Sequence, residues 1–284
     1  MPQPSLSLII PCLNPPPDFY STVEELNRNY GEEIEIIISN GGGLDTSKLP
    51  KVKNLRHWSG PDTGQAQAIN KGIRRSTGDL VGYLNVDDLL IRNAIRLVKE
   101  AFACNPDVDV IYGEGIHIDQ EGNWLEDYPT RPWDYSLLKT VCFLCQPAVF
   151  WRKKIHDEFG YFNEDLHFAL DYEFWLRLGK RLSFHYLEYV YLAKSRLHPI
   201  AKTVQFPLKA KWENLLVKQK HNQWIDTKSA FEYCTLLVNE KLDERNNPRQ
   251  FAKELLTAMA IIEAQFTIQD INSWETGRIQ MQEM

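Results

Sequence analysis

The sequence predicts an α/β fold built on an open sheet, and three observations carry that prediction. Strand-like segments recur at residues 6–11, 34–39, 52–58, 80–84 and 108–112, with helical patterns between most of them. A chain of 284 residues that is 43% hydrophobic is long and apolar enough for a substantial core. The run at 80–84 breaks abruptly into two adjacent carboxylates, Asp87 and Asp88, and sheets of this class bind ligands beyond the carboxyl ends of their strands.

The formal net charge of −6 argues against non-specific binding to nucleic acid. No apolar run approaches the roughly 18 residues of a membrane span, and the N-terminus MPQPSLSLIIPCLN lacks a basic segment before its apolar one. The expected location is therefore cytoplasmic. Of the five cysteines, Cys142 and Cys145 form a CxxC that reads either as a redox pair or as half of a zinc site. No second pair at comparable spacing supplies the remaining zinc ligands, so buried free thiols in an apolar stretch are expected.

In chain order, the run at 6–11 ends at Pro11, Cys12, Leu13 and Asn14, followed by three prolines that should take the chain out of the sheet in extended form. Val23, Leu26 and Tyr30 then mark a helix, and the run at 34–39 closes a βαβ opening. That run leads into Asn40, Gly41, Gly42 and Gly43; the glycines either let backbone approach a ligand or form a mobile turn. Asn40 could offer both a donor and an acceptor to a planar base. After the strand at 52–58 comes the turn-rich loop Gly60, Pro61, Asp62, Thr63, Gly64, then a helix over 65–75. Within it Asn70 and Lys71 read either as surface residues or as groups facing a phosphate.

Asp87 and Asp88 repel each other and resist burial without water, a helix N-terminus or a cation nearby. One reading makes one of them a cap for the helix that follows, marked by Ile91, Ala94, Ile95, Val98, Ala101 and Phe102. The other makes them a divalent-metal site of hard oxygen ligands. Further on, Ile116 to Ile118 and Trp124 to Leu125 read as a hairpin, and Gln146 interrupts an apolar run. Asp171 stands at the start of a helix containing Trp175, Leu176 and Leu178, as a cap or as a base.

The ordered blocks SLSLIIPCLN, NGGGLD, GPDTGQAQAINKGI, STGDLVGYLNVDDLL, DVIYGE, CQPAVFWRK and ALDYEFWLRL resemble the family 2 glycosyltransferases with the GT-A fold, over roughly residues 5–200. The resemblance implies a mixed central sheet flanked by helices and an inverting, metal-dependent (Mn²⁺ or Mg²⁺) transfer of sugar from a UDP-, GDP- or dTDP-sugar donor. The acceptor would be a saccharide or a lipid-linked saccharide, in polysaccharide or glycolipid synthesis. Residues 1–204 would be the catalytic domain, with a nucleotide half over 1–113 and an acceptor half over 114–204, and residues 205–284 a helical extension. Asn85, Val86 and Asp87 occupy the family's DxD signature, with Asp87 reaching the metal, Asn85 in place of an Asp and Asp88 in support. By the same resemblance Asn40 stands at the base-contacting position, Pro11, Asn14, Asp62, Gln65 and Lys71 flank the nucleotide, and Gln146 lines the donor cleft. Asp171 would be the catalytic base, Glu173 a supporting residue, and His198 a residue near the metal or phosphates.

A nucleotidyltransferase would need glycines and basic residues after the first strand, where Asn14 and three prolines stand. A non-catalytic nucleotide- or sugar-binding relative would be expected to lose Asp87 or Asp171. Beyond residue 205 helices are expected over 207–221, 228–242 and 248–269. In the first, Leu208, Trp212, Leu215 and Leu216 share a stripe bordered by Lys209, Lys211, Lys218 and Lys220. That face suits either an anionic membrane, with the protein peripheral at the inner face, or the protein's own core.

Overall fold

The computed structural model describes residues 3–199, 201–242 and 247–267. Its strands and helices, in chain order, are β1 (Leu6–Leu13), α1 (Phe19–Tyr30), β2 (Ile34–Gly42), β3 (Leu55–Ser59), α2 (Gln65–Arg75), β4 (Leu80–Tyr83), β5 (Leu89–Leu90), α3 (Ala94–Cys104), β6 (Val110–Ile118), β7 (Trp124–Asp127), α4 (Tyr135–Leu138), β8 (Val149–Arg152), α5 (Ile155–Phe159), α6 (Leu170–Gly179), β9 (His185–Arg196), α7 (Lys202–Gln205), α8 (Pro207–Asn222), α9 (Thr227–Asn239) and α10 (Pro248–Thr267). The last two residues of the helix expected over 248–269 lie outside the described residues.

The strands form one nine-stranded mixed sheet in the order β3-β2-β1-β4-β8-β6-β9-β5, with β7 paired to β6. β3, β2, β1 and β4 run parallel, β8 runs against both β4 and β6, and β9 runs parallel to β6. The parallel part is why β1 reads as an unbroken apolar run: both of its faces are covered and only Leu13 is exposed. The period of two sends Leu6, Leu8 and Ile10 into the core beneath α1 and α3, and Ile9 into the core beneath α2 and α6. α2 lies so close to β1 that a Cβ on Gly72 would stand 2.5 Å from Ile9 Cγ2.

Several boundaries differ from the sequence reading. β1 and β2 continue past Pro11 and Ser39, because Cys12 pairs with Asn40 and Leu13 with Gly42 across a bulge. α3 begins at Ala94, after a short strand that pairs Leu89 and Leu90 with Lys194 and Ala193. β6 runs unbroken through positions 113 and 114, and α7 spans positions 204 and 205.

α8 packs against α6 on one side and α9 on another, and α9 against α10. Trp212, Leu215, Tyr233, Cys234, Ile262 and Phe266 form a separate apolar cluster, with Leu208 and Leu216 packed on it. The stripe on α8 is thus covered by this chain, and its bordering Lys211 and Lys218 pair with Glu232 and Asp226. Of the two readings of that helix, this packing is that of a helix facing the protein's own core. Among the described residues no helix is long and apolar enough to cross a membrane.

Candidate active site

The parallel strands deliver their carboxyl ends to one edge of the sheet, which gathers Asn14, residues 40–43, residues 85–88 and residues 196–198. The centre of that edge is polar and ordered by hydrogen bonds. Gln65, the first residue of α2, donates to Asn85 Oδ1 at 2.7 Å. Asn85 Nδ2 in turn donates to Asp88 Oδ2 at 2.9 Å and reaches Gln146 Oε1 at 3.4 Å. Gln146, at the start of the turn before β8, donates its Nε2 to the carbonyl of Tyr83 at 2.8 Å. Four sequence-predicted residues, Gln65, Asn85, Asp88 and Gln146, therefore form one connected network.

Asp88 is buried and accepts the backbone N–H of Arg196 at 3.0 Å. Burial, with Asp87 beside it, pushes its carboxyl up to about 7 against the hydrogen bonds from Arg196 and Asn85. Neither carboxylate caps α3, whose N-cap is Asn93 with no side-chain cap bond. Asp87 is more open, and its Oδ2 lies 2.7 Å from His198 Nε2. The other ring nitrogen of His198 is buried without a hydrogen-bond partner. Arg196 supports the pair from behind: its Nε donates to the carbonyl of Asp87 at 3.0 Å and its guanidinium also holds the carbonyls of Asp119 and Gln120. This bracing was not assigned from sequence, although Arg196 lies in the same block as His198.

A carboxylate oxygen and an imidazole nitrogen brought to one point make a donor set that a divalent cation accepts. Among the described residues no group of three or more His, Cys, Asp or Glu converges for a metal. Two such protein ligands would leave most positions of a divalent cation to other donors. Val86 packs its side chain on the core between the two polar positions.

Other predicted residues serve the protein's own frame. Asn40 is buried, donates to Ser59 Oγ at 2.9 Å and accepts the N–H of Gly42 at 2.9 Å, one bond at each end of its amide. The glycines that follow admit the chain's own side chains: a Cβ on Gly41 would stand 2.3 Å from Asp62 Oδ2, and one on Gly43, at φ +77°, 2.2 Å from Asn14 Oδ1. Asn14 itself has φ 47° and donates its N–H to Gly42 O at 2.9 Å, while Pro11 is buried opposite Ser39. Lys71 donates to the carbonyl of Pro61 at 2.7 Å and closes the loop carrying Asp62. Asn70 faces inward and brackets Phe162 through the latter's N–H and C=O. Cys142 and Cys145 are free thiols, and burial raises both above the usual thiol range.

Asp171 lies in the first turn of α6, where the N-cap is Ala169, and accepts the N–H of Tyr172 at 2.8 Å. Burial raises it to about 6, with the backbone hydrogen bonds opposing and the charge of Glu213 adding to the rise. Tyr83, fully buried at the end of β4, is pushed well above its usual value first by burial and then by the charges of both Asp171 and Asp88. Glu173 turns away: it is buried against Arg177 at 2.8 Å and His221 of α8 at 3.0 Å.

The mixed sheet with helices on both faces and this polar edge define a GT-A type nucleotide-sugar transferase fold. The chain belongs to the glycosyl transferase family 2, whose model matches residues 7–160. It is 28% identical over 211 residues to an uncharacterised glycosyltransferase of Rickettsia conorii, covering 68% of this chain and 34% of that protein. It is also 25% identical over 184 residues to the chondroitin synthase of Escherichia coli, covering 62% of this chain and 27% of the other. The chain thus spans about a third or less of the length of these two relatives. The S. aureus TarS 1–349 structure in complex with UDP-GlcNAc superimposes with a TM-score of 0.57 at 13% identity, covering 89% of this chain and 79% of that one. The same fragment with UDP gives 0.54 at 14% identity, over 89% and 80%.

Proposed function

We propose that this protein is an inverting glycosyltransferase that moves a sugar from a nucleoside-diphosphate donor to an acceptor hydroxyl. The observation that carries the reading is the paired Asp87 Oδ2 and His198 Nε2, 2.7 Å apart at the sheet edge. A uridine nucleotide donor is favoured by the likeness to a structure that holds UDP-GlcNAc. Polysaccharide synthesis is favoured by the likeness to a chondroitin synthase.

Asp87 and His198 would hold a divalent cation with the donor diphosphate. When bound, it would offset the negative charge that develops on the departing nucleotide. The chain's own groups do the rest. Arg196 and Asp88 fix the backbone that carries Asp87, and Gln65, Asn85 and Gln146 hold the floor beneath the diphosphate. Asp171 accepts the proton of the acceptor hydroxyl at its free carboxylate oxygen. A group raised to about 6 is largely ionised at neutral pH, yet basic enough to take that proton during attack. One displacement from the face opposite the nucleotide inverts the anomeric carbon, with no glycosyl-enzyme intermediate.

Incubation with UDP-, GDP- and dTDP-sugars, Mn²⁺ or Mg²⁺ and a panel of saccharide acceptors tests this reading. Nucleotide release that needs cation and acceptor supports it. No turnover with any donor, together with an Asp87→Ala variant that binds nucleotide as the wild type does, overturns it.

A further inference from the structure

α6 starts without a cap of its own. Its N-cap residue is Ala169, whose side chain cannot accept a hydrogen bond. The acceptor comes from another element: Glu213 of α8 receives the N–H of His167 on both carboxylate oxygens at 3.0 and 2.9 Å. Its Oε1 also receives the N–H of Phe168 at 2.6 Å and of Ala169 at 2.6 Å. Glu213 is 1% exposed and forms no ion pair among the described residues; these three amides, with the charge of Lys202 beside them, compensate its charge. Lys202 holds the same turn from its other side, donating to the carbonyl of His167 at 2.8 Å. Two residues beyond this clamped turn stands Asp171.

We propose that Glu213 is a positioning residue for the acceptor base, so that the C-terminal helix α8 completes the catalytic site. The inference rests on the reading of Asp171 as that base. A carboxylate that must meet a hydroxyl within hydrogen-bond reach depends on the placement of its turn, and a displacement of about 1 Å can cost on the order of a hundredfold in rate. Here the turn is set by three amides converging on one buried anion. The charge of Asp171 bears on Tyr83 of β4, on Tyr128 after β7 and on Cys142 after α4, and the charge of Glu213 bears on Asp171. Of these, Glu213 alone grips the turn.

The test uses Glu213→Ala and Glu213→Gln, each in the wild-type chain and in Asp171→Asn, with kcat for sugar transfer, nucleotide affinity by calorimetry and thermal melting as readouts. In the wild-type chain Glu213→Ala should lower kcat about 10- to 100-fold and leave nucleotide affinity within about twofold. In the Asp171→Asn chain the same change should cost less than about twofold more, because the group it positions is gone. Equal losses in both chains, or no loss in the wild-type chain, overturn the proposal. Glu213→Gln keeps an acceptor for Phe168 and Ala169 but turns an N–H₂ group toward one N–H, so it should lose a few-fold in the wild-type chain only. Should Glu213→Ala fail to fold, Glu213→Gln decides by the same comparison. Wild-type transfer by Asp171→Asn itself would instead remove the base reading.

Discussion

The imidazole Nε2 of His198 lies 2.7 Å from Oδ2 of Asp87, joining residues 111 positions apart in the chain. β9 brings them together, because it runs beside β6 and β5 and ends at the sheet edge where β4 gives way to Asp87. In Mn²⁺, Asp87→Ala should weaken UDP binding by at least about tenfold and His198→Ala by about tenfold. Without cation both variants should match the wild type. Calorimetric titration of UDP with and without Mn²⁺ reads the difference, and equal losses in both conditions would contradict a cation-holding role.

The amide of Asn85 is tied to the buried carboxylate of Asp88. Its Nδ2 donates to Asp88 Oδ2 at 2.9 Å, and Asp88 is already raised to about 7 by burial and by Asp87. Asn85→Asp would replace that donor by a second carboxylate in a buried place. Without divalent cation the variant should melt earlier, with a loss of about 1–3 kcal/mol. Added Mn²⁺ should recover more stability in the variant than in the wild type. Melting curves at several Mn²⁺ concentrations check this, and an unchanged melting temperature without cation would count against the network.

Glu173 anchors α6 to α8. Burial alone would raise its carboxyl, but hydrogen bonds from His221 and Arg177 outweigh it and hold the group at about 2. A carboxylate with a depressed folded value binds its proton less readily folded than unfolded. Its stabilising contribution is therefore present above the usual 4.5 and lost as pH falls toward 2. Glu173→Ala should lose about 3 kcal/mol at neutral pH by leaving Arg177 and His221 without their anion. In denaturant titrations the gap between variant and wild type should close as pH falls from 4.5 to 2, and a gap independent of pH would refute this account.

Much of the sheet was legible because buried parallel strands carry their signal locally. The helix read over residues 65–75 coincides with α2, and the run at 80–84 with β4 to within one residue. Leu89 and Leu90 form a strand only by pairing with Lys194 and Ala193, about a hundred residues on, which no local pattern reveals. Gly41 and Gly43 of the glycine run approach Asp62 and Asn14 closely, partners that no local pattern names. Asn40 has the chemistry of a base reader and spends it on Ser59 and Gly42. Glu213 escaped notice because its donors lie 44 to 46 residues earlier in the chain. A carboxylate beside Trp212 on a covered helix was the available signal, since a buried charge needs donors somewhere.

The central claim is that Asp171 takes the acceptor proton, and the pH dependence of transfer tests it most directly. For the wild type, kcat/KM should rise with pH through about 6, where burial places this carboxyl, and level off above it. Asp171→Asn should lose that limb and at least about a hundredfold in transfer rate, with UDP affinity unchanged. A variant that transfers sugar at the wild-type rate, with the same limb near pH 6, would contradict the account.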